Sequence, residues 1–178
     1  MHHGYYPSKD FKDHKAAQLL MIEKSLEFGF NANPSDMPVK SLVDVGCGVG
    51  GSSRYMASKI FTNSTGKGIS LSPYQIERAQ QFTLEQNLSS RLEYKVADAM
   101  AMPFENNSFD LAWSMESGEH MPDKDKFVNE LFRVTAPGGR ILIVTWCHRE
   151  LEKDETGLTE KEHRLLDKIN KVYYLPEW

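Results

Sequence analysis

The sequence predicts a doubly wound α/β domain, a parallel sheet with helices on both faces. Three observations carry this. From about Lys40, short apolar segments alternate with amphipathic ones. A glycine-rich turn, Asp44 to Gly51, follows the first apolar segment. The length of 178 residues suits one domain with a sizeable core.

The elements follow in order. Residues 13–28 predict a helix with Ala16, Leu19, Ile22 and Leu26 on one side. Residues 41–45 predict a buried strand, and 51–60 a helix after the glycines. A second strand spans 67–71. Ser72 then caps a helix with Pro73 at its first position and Gln75 closing a capping box. The inward stripe of that helix is Ile76, Ala79 and Phe82. Residues 92–97 and 109–114 predict the third and fourth strands. Residues 123–134 predict a helix with Phe127, Leu131 and Val134 on one face, and Ala136–Gly139 a turn. Residues 140–146 are the strongest strand in the chain. A last helix starts at Thr159, closes a capping box with Glu162, and faces inward through Leu165, Ile169 and Val172.

Strands separated by helices require right-handed crossovers, and ligands of such sheets sit outside the strands' carboxyl ends. Chemistry should therefore gather after Val45, Leu71, Val96, Ser114 and Trp146.

Composition narrows the partners. Apolar content of 40% and charged content of 26% are ordinary for a globular chain. A net charge of -4 and a pI of 5.9 argue against nucleic acid. No apolar run approaches the ~20 residues that cross a bilayer. Cys47 and Cys147 have no metal or redox spacing and read as free thiols of a reducing compartment, so no metal site is expected. The N-x-S/T triplets at Asn63, Asn87 and Asn106 read as chance matches. The opening Met1-His2-His3-Gly4-Tyr5-Tyr6 shows no leader, and Trp178 closes an aromatic run. Both ends read as cuts through a longer chain. Alone, the histidines would be a disordered tail or part of a tag.

The glycine turn leaves two cofactors open. Gly46, Gly48 and Gly51 satisfy the dinucleotide spacing G-x-G-x-x-G. Glycines there let the backbone approach a ligand, and the next helix aims its free N–H groups at it. Asp44 just before them is poorly placed beside a pyrophosphate. It is favourable opposite an ammonium and a sulfonium, as in S-adenosylmethionine. A nicotinamide site also wants an acid near the end of the second strand, where this chain has Ser70. Many methyltransferases use an acid there too.

The chain resembles the tocopherol methyltransferases of photosynthetic organisms, which belong to the class I S-adenosylmethionine-dependent methyltransferases. The resemblance rests on Val43–Tyr55 (VDVGCGVGGSSRY), Gly68–Pro73 (GISLSP), Gln75–Ala79 (QIERA) and Val96–Ala99 (VADA). Trp113–Lys124 (WSMESGEHMPDK) is its most specific part, joined by Ala136–Gly139, Ile143–Arg149 (IVTWCHR) and Tyr173–Pro176 (YYLP). Met1–Tyr6 looks like an internal segment of that family. Two departures stand out: Ser70 replaces the family's usual Thr, and residues 61–67 look a few residues longer than usual.

The resemblance implies a Rossmann-like fold with strand order 3-2-1-4-5, the C-terminal strands missing. Residues 1–38 would be an access segment and helix, 39–150 the cofactor-binding core, and 151–178 the start of a substrate-covering segment. It implies S-adenosylmethionine as cofactor and γ-tocopherol, methylated on a ring carbon, as acceptor. It further implies a plastid location (cytoplasm if the organism lacks plastids) and peripheral membrane contact for reaching a lipophilic phenol. No obligate protein partner is implied. Alternatives are another phenol, a sterol or an alkaloid nitrogen as acceptor, a nicotinamide-dependent dehydrogenase, or a fragment that binds cofactor without turnover.

Residue by residue, Asp44, Val45, Gly46, Gly48 and Gly50 would hold the methionine portion. Gln75 would reach the ribose or merely complete the cap, with Ser70 and Leu71 beside it. Asp98 would accept from the adenine amino group, or be a plain turn residue, and Ala99 would offer its N–H to the ring. Ser114 and Met115 would lie beside the sulfur, with Trp113 in the core. His2, His3, Tyr5 and Tyr6 would lie near the cofactor or acceptor, Tyr5 foremost as a lining residue, with His148 facing the acceptor and Trp146 either wall or core. Glu119, His120 and Glu116 are the catalytic candidates, because a phenol attacks poorly until a base draws off its proton. The alternative for the Glu119-His120 pair is a brace for its loop.

Overall fold

Val43, Val45, Leu111, Ala112 and Trp113 are shielded completely from solvent, and they lie on the two central strands, β1 (Ser41–Val45) and β4 (Phe109–Met115). Such predominantly apolar, buried strands suit a parallel sheet covered on both sides. The computed structural model describes residues 2–147 and 149–175. Its sheet has the order β3-β2-β1-β4-β5, all parallel, with β2 at Thr65–Ser70, β3 at Leu92–Val96 and β5 at Thr135–Val144.

The helices are α1 (His14–Phe30), α2 (Gly51–Tyr55), α3 (Pro73–Glu85), α4 (Lys124–Val134) and α5 (Glu160–Tyr173). Alternate residues of each strand point to opposite faces. Leu42, Leu111 and Trp113 thus pack with Ile22, Leu26 and Phe30 of α1. Val43, Val45 and Ala112 pack on the other face with Phe127, Leu131 and Val134 of α4. α3 adds Ile76 and Ala79 against Leu92, Tyr94 and Cys47. The Asp13 side chain caps α1 by accepting from Ala16 N, and Thr159 and Glu162 form the complete capping box that the sequence predicts. Both cysteines are free, Cys47 buried and Cys147 exposed. Among the described residues no helix is long and apolar enough to cross a membrane.

Several expectations need correction. On α1, Ala17 is buried where Ala16 was expected, and Leu19 is only half-buried. On α3, Thr83 takes the buried place expected of Phe82, because it lies seven residues from Ile76 on the same face. Phe82 lies instead under the Arg54 and Arg78 guanidiniums, 5.4 and 4.4 Å from its ring centre. The helix expected over 51–60 changes to a wider π turn at Met56–Ile60, and a turn after Phe61 carries the remaining residues of the long stretch before β2. The Ala136–Gly139 turn is a bulge inside β5: Phe109 pairs with Thr135 but Leu111 already pairs with Arg140. Gly138, at φ 82, lies within the bulge. β5 ends at Val144 rather than Trp146.

The largest correction concerns α5. Leu165, Ile169 and Val172 were expected inward, yet they are 50%, 42% and 68% exposed. Leu166 and Asn170, on a neighbouring face, are half-buried instead. Periodicity shows that a helix is amphipathic, and packing decides which side is covered.

Two substitutions should separate these helices. Leu131→Ala empties a fully buried site and should cost roughly 2–5 kcal/mol. Leu165→Ala should change stability by less than about 0.5 kcal/mol. Urea unfolding of both variants checks the contrast.

Candidate functional site

The turn after β1 is tied to the end of β2. Gly46 N and Cys47 N both donate to Ile69 O, at 3.0 and 2.9 Å, and Gly50 N donates to Cys47 O at 2.8 Å. Gly46, Gly48 and Gly50 have φ values of 79, 53 and 72, a region that side chains disfavour. They serve different ends. A Cβ on Gly46 would lie 2.3 Å from Ser117 Cβ, and one on Gly50 would lie 2.6 Å from the Tyr94 hydroxyl. A Cβ on Gly48 would meet nothing within 4 Å.

A cavity of about 290 Å³ opens beside this turn, across the carboxyl ends of the strands. Of the predicted residues, Gly46, Gly48, Ser70, Leu71, Gln75, Ala99, Glu116 and His120 line it. Ile69, Ala97, Ser117 and Met121 complete it, and sequence reasoning did not single them out for the site. A larger hollow, about 770 Å³, lies at the amino ends of the strands between Ser41, Thr65 and Phe109. Doubly wound folds bind at the other edge, where the glycine turn is.

The remaining candidates stand behind or beside the lining. Val45 is fully buried and Gly50 sits under Tyr94. Ser114 is buried, its Oγ 2.7 Å from Ser117 Oγ, and Ser117 Oγ donates to Val45 O at 2.9 Å. Ser117 thereby joins β1 to β4, and the only signal for it was a small residue after Glu116. Asp98 Oδ1 accepts from Met100 N at 2.8 Å, the turn geometry weighed against an adenine contact. Trp113 is core, as expected. Tyr5 is outside the cavity lining and 44% exposed, its N–H donating to Ala17 O. Trp146 is half-buried and outside the cavity lining, its ring 5.3 Å from His3 and 4.8 Å from Tyr173. His148 lies outside the described residues.

Gln75 has a dual position. Its backbone N–H donates to Ser72 Oγ at 3.3 Å, which is the expected cap. Its side chain does not close the box on Ser72 N. Ser70 Oγ donates to Gln75 Oε1 at 2.8 Å and accepts from Ser72 N at 3.2 Å.

The three catalytic candidates differ sharply. Glu119 is buried, and its Oε2 accepts from Thr145 Oγ1 at 3.0 Å. Lys124 Nζ donates to the carbonyls of Glu119 and Met121. His120 is exposed at the cavity rim. Glu116 sits at φ 48, its N–H donating to Val144 O at 2.7 Å. Its Oε2 accepts from His3 N at 2.9 Å and lies 2.8 Å from His3 Nδ1.

Asp44 lies beneath the turn, 2% exposed, and accepts a short hydrogen bond from Ser53 Oγ. Burial pushes its carboxyl up from 3.8 to about 6, against the pull of Ser53 and Arg54. Burial also pushes the Cys47 thiol far up, which makes it a poor nucleophile.

The lining is chemically divided. Leu71 (70% exposed), Ile69, Ala97, Ala99 and Met121 offer an apolar slot for a flat ring. Ser70 and Gln75 offer hydroxyl and amide groups, and the Gly48 backbone is open to a polar tail. These residues fit a nucleoside carrying a short charged arm.

Strand order, glycine turn and cavity define a doubly wound domain built to hold a nucleoside-containing cofactor. A methyltransferase-domain family matches residues 43–143, more than half of the chain. Tocopherol O-methyltransferase, chloroplastic, of Arabidopsis thaliana is 54% identical over 184 residues, covering 100% of this chain and 52% of the relative. Ajmaline N-methyltransferase of Rauvolfia serpentina is 38% identical over 173 residues, covering 95% of this chain and 58% of the relative. A solved geranyl diphosphate methyltransferase in complex with SAM shares the fold at TM-score 0.73 and 22% identity, covering 98% of this chain and 71% of that one. The chain belongs to the methyltransferase-domain family. It spans about half the length of the curated relatives it matches.

Two predictions follow from the turn. Gly48→Ala should cost only the positive-φ penalty, about 1–2 kcal/mol, whereas Gly46→Ala adds the Ser117 clash and should cost roughly 3–5 kcal/mol. Thermal unfolding compares them. For Asp44 the folded pKa is raised, so its contribution to stability is full below about pH 4 and is lost as pH rises through about 6. Asp44→Asn should therefore be roughly 2–3 kcal/mol more stable than wild type at pH 7.5 and no more stable near pH 4, as read by urea unfolding at both pH values.

Proposed function

We propose that this chain is the S-adenosylmethionine-binding part of a plastid methyltransferase that methylates a ring carbon of a tocopherol-type phenol. The observation that carries it is the divided cavity beside the Gly46–Gly50 turn, in a chain of the methyltransferase-domain family. The higher identity to the tocopherol enzyme than to the alkaloid enzyme supports the phenol. The relative's name, chloroplastic, supports the plastid.

In this reading Gly46 and Gly48 hold the methionine arm, Ser70 and Gln75 the ribose, and Leu71 and Ala99 the adenine. Asp44 acts from beneath the turn by charge rather than by contact, since it does not line the cavity. When bound, the cofactor supplies a methyl carbon activated by its sulfonium. The protein's part is alignment, exclusion of water, and removal of the acceptor's proton. Glu116 and His120 stand at the lining on the acceptor's side, while Glu119 braces the loop through Thr145. Oxygen and ring carbon of a phenol compete for a methyl group, so the orientation of the acceptor decides the product. A lipophilic acceptor also implies contact of the full-length protein with a membrane surface. Nucleic acid has no place in the scheme.

The test has two parts. Calorimetry should show S-adenosylhomocysteine binding and no response to NAD; the reverse would return the chain to the dehydrogenase class. Full-length protein given γ-tocopherol and labelled donor should then yield the ring-methylated product. A methyl ether, or transfer only to an alkaloid nitrogen, would refute the carbon acceptor.

A further inference from the structure

The amino-terminal segment brings an imidazole to Glu116, a residue of the cavity lining. His3 lies beyond the carboxyl ends of β4 and β5, and its Nδ1 is 2.8 Å from Glu116 Oε2. The backbone N–H of His3 donates to the same oxygen at 2.9 Å, which fixes the residue as well as its ring. The segment is anchored further back. Gln18 Nε2 donates to His2 O at 2.8 Å, and Gly4 lies so near α1 that a Cβ would come 2.5 Å from Ala17 Cβ.

Glu116 is held in turn. A non-glycine residue at φ 48 is strained, and such strain persists only where the surroundings impose it. Here its N–H is bound to Val144 O, and Ser117 is hooked to Val45 O. The strained backbone presents the carboxylate at once to the cavity and to His3.

A carboxylate only accepts hydrogen bonds, so Nδ1 carries the proton and neutral His3 has its lone pair on Nε2. That nitrogen is on the far side of the ring from Glu116, and among the described residues nothing bonds it. The His3 side chain is 63% exposed, while that of Glu116 is 10% exposed. Trp146 lies 5.3 Å away and offers a flat apolar wall to an aromatic acceptor. An imidazole oriented by a carboxylate is the arrangement that removes hydroxyl protons in nucleophilic catalysis. The other two candidates lack it: Glu119 is turned to Thr145, and no described carboxylate holds the His120 ring.

We propose that His3 is the general base that takes the acceptor's phenol proton, with Glu116 as the residue that positions it; this rests on the phenol acceptor proposed above. The phenol O–H bond breaks, the proton bonds to Nε2, and the electron pair stays on oxygen, where it enriches the ring carbon to be methylated. The proton released from that carbon restores the hydroxyl, and the imidazolium returns its own proton to water. One proton leaves per methyl group gained.

The test uses the full-length protein with S-adenosylhomocysteine and a nitro-substituted chromanol whose phenolate absorbs visible light. Wild type should show the phenolate band at a pH about one unit below the probe's solution pKa. His3→Gln should lose the band and keep its affinity for S-adenosylhomocysteine, and its turnover with γ-tocopherol should fall about 10²–10⁴-fold. Glu116→Gln should weaken the band less than His3→Gln does. Phenol turnover of His3→Gln within about threefold of wild type, with the band intact, would overturn the base alone. Wild type that binds S-adenosylhomocysteine but methylates no phenol would overturn the acceptor and the base together.

Discussion

The carboxyl edge of the sheet depends on the close approach of Gly46 and Ser117. No side chain fits between them, since a Cβ on Gly46 would fall 2.4 Å from Ser117 Oγ. The contact lets Ser117 donate to Val45 O and meet Ser114, which binds the end of β1 to the end of β4. Three things follow from that join. Gly46 takes its left-handed conformation against Ser117, the cavity gains a polar wall, and Glu116 sits at φ 48 just before the hook. The glycine turn and Glu116 thus share one structural root.

The acids around the cavity show how position sets role. Asp44 is buried and raised to about 6, so its ionised form is strained in the free protein. A cation above the turn would relieve that strain, and this ties the cost in stability to a gain in binding. Glu116 and Glu119 are neighbours in sequence yet face opposite ways, one to the cavity and His3, the other into the loop against Thr145. Residue type alone could not separate them.

The sheet was legible because β1 and β4 are mostly apolar runs and the glycines between strand and helix have few other uses. Gly46, Gly48, Ser70, Leu71, Gln75 and Ala99 could be placed at one edge because strand ends converge there in this topology. What was not legible depended on contacts across the fold. Leu165, Ile169 and Val172 form a clean apolar stripe, but the stripe cannot say what covers it. Ser70 intercepts the Gln75 side chain through a contact five residues apart that the capping pattern ignores. His3 and Glu116 are 113 residues apart, and no local pattern joins them. The resemblance put the whole His2–Tyr6 segment near the site and favoured Tyr5 within it, whereas His3 makes the contact with Glu116.

The central claim is that the Gly46–Gly50 turn and the cavity beside it hold the cofactor. A crystal structure of the protein with S-adenosylhomocysteine tests it most directly. The account predicts the ligand's amino-acid arm over Gly48 and its adenine between Leu71 and Ala99. Ligand bound instead in the hollow between Ser41, Thr65 and Phe109, or a cavity that stays empty at saturating ligand, would contradict it.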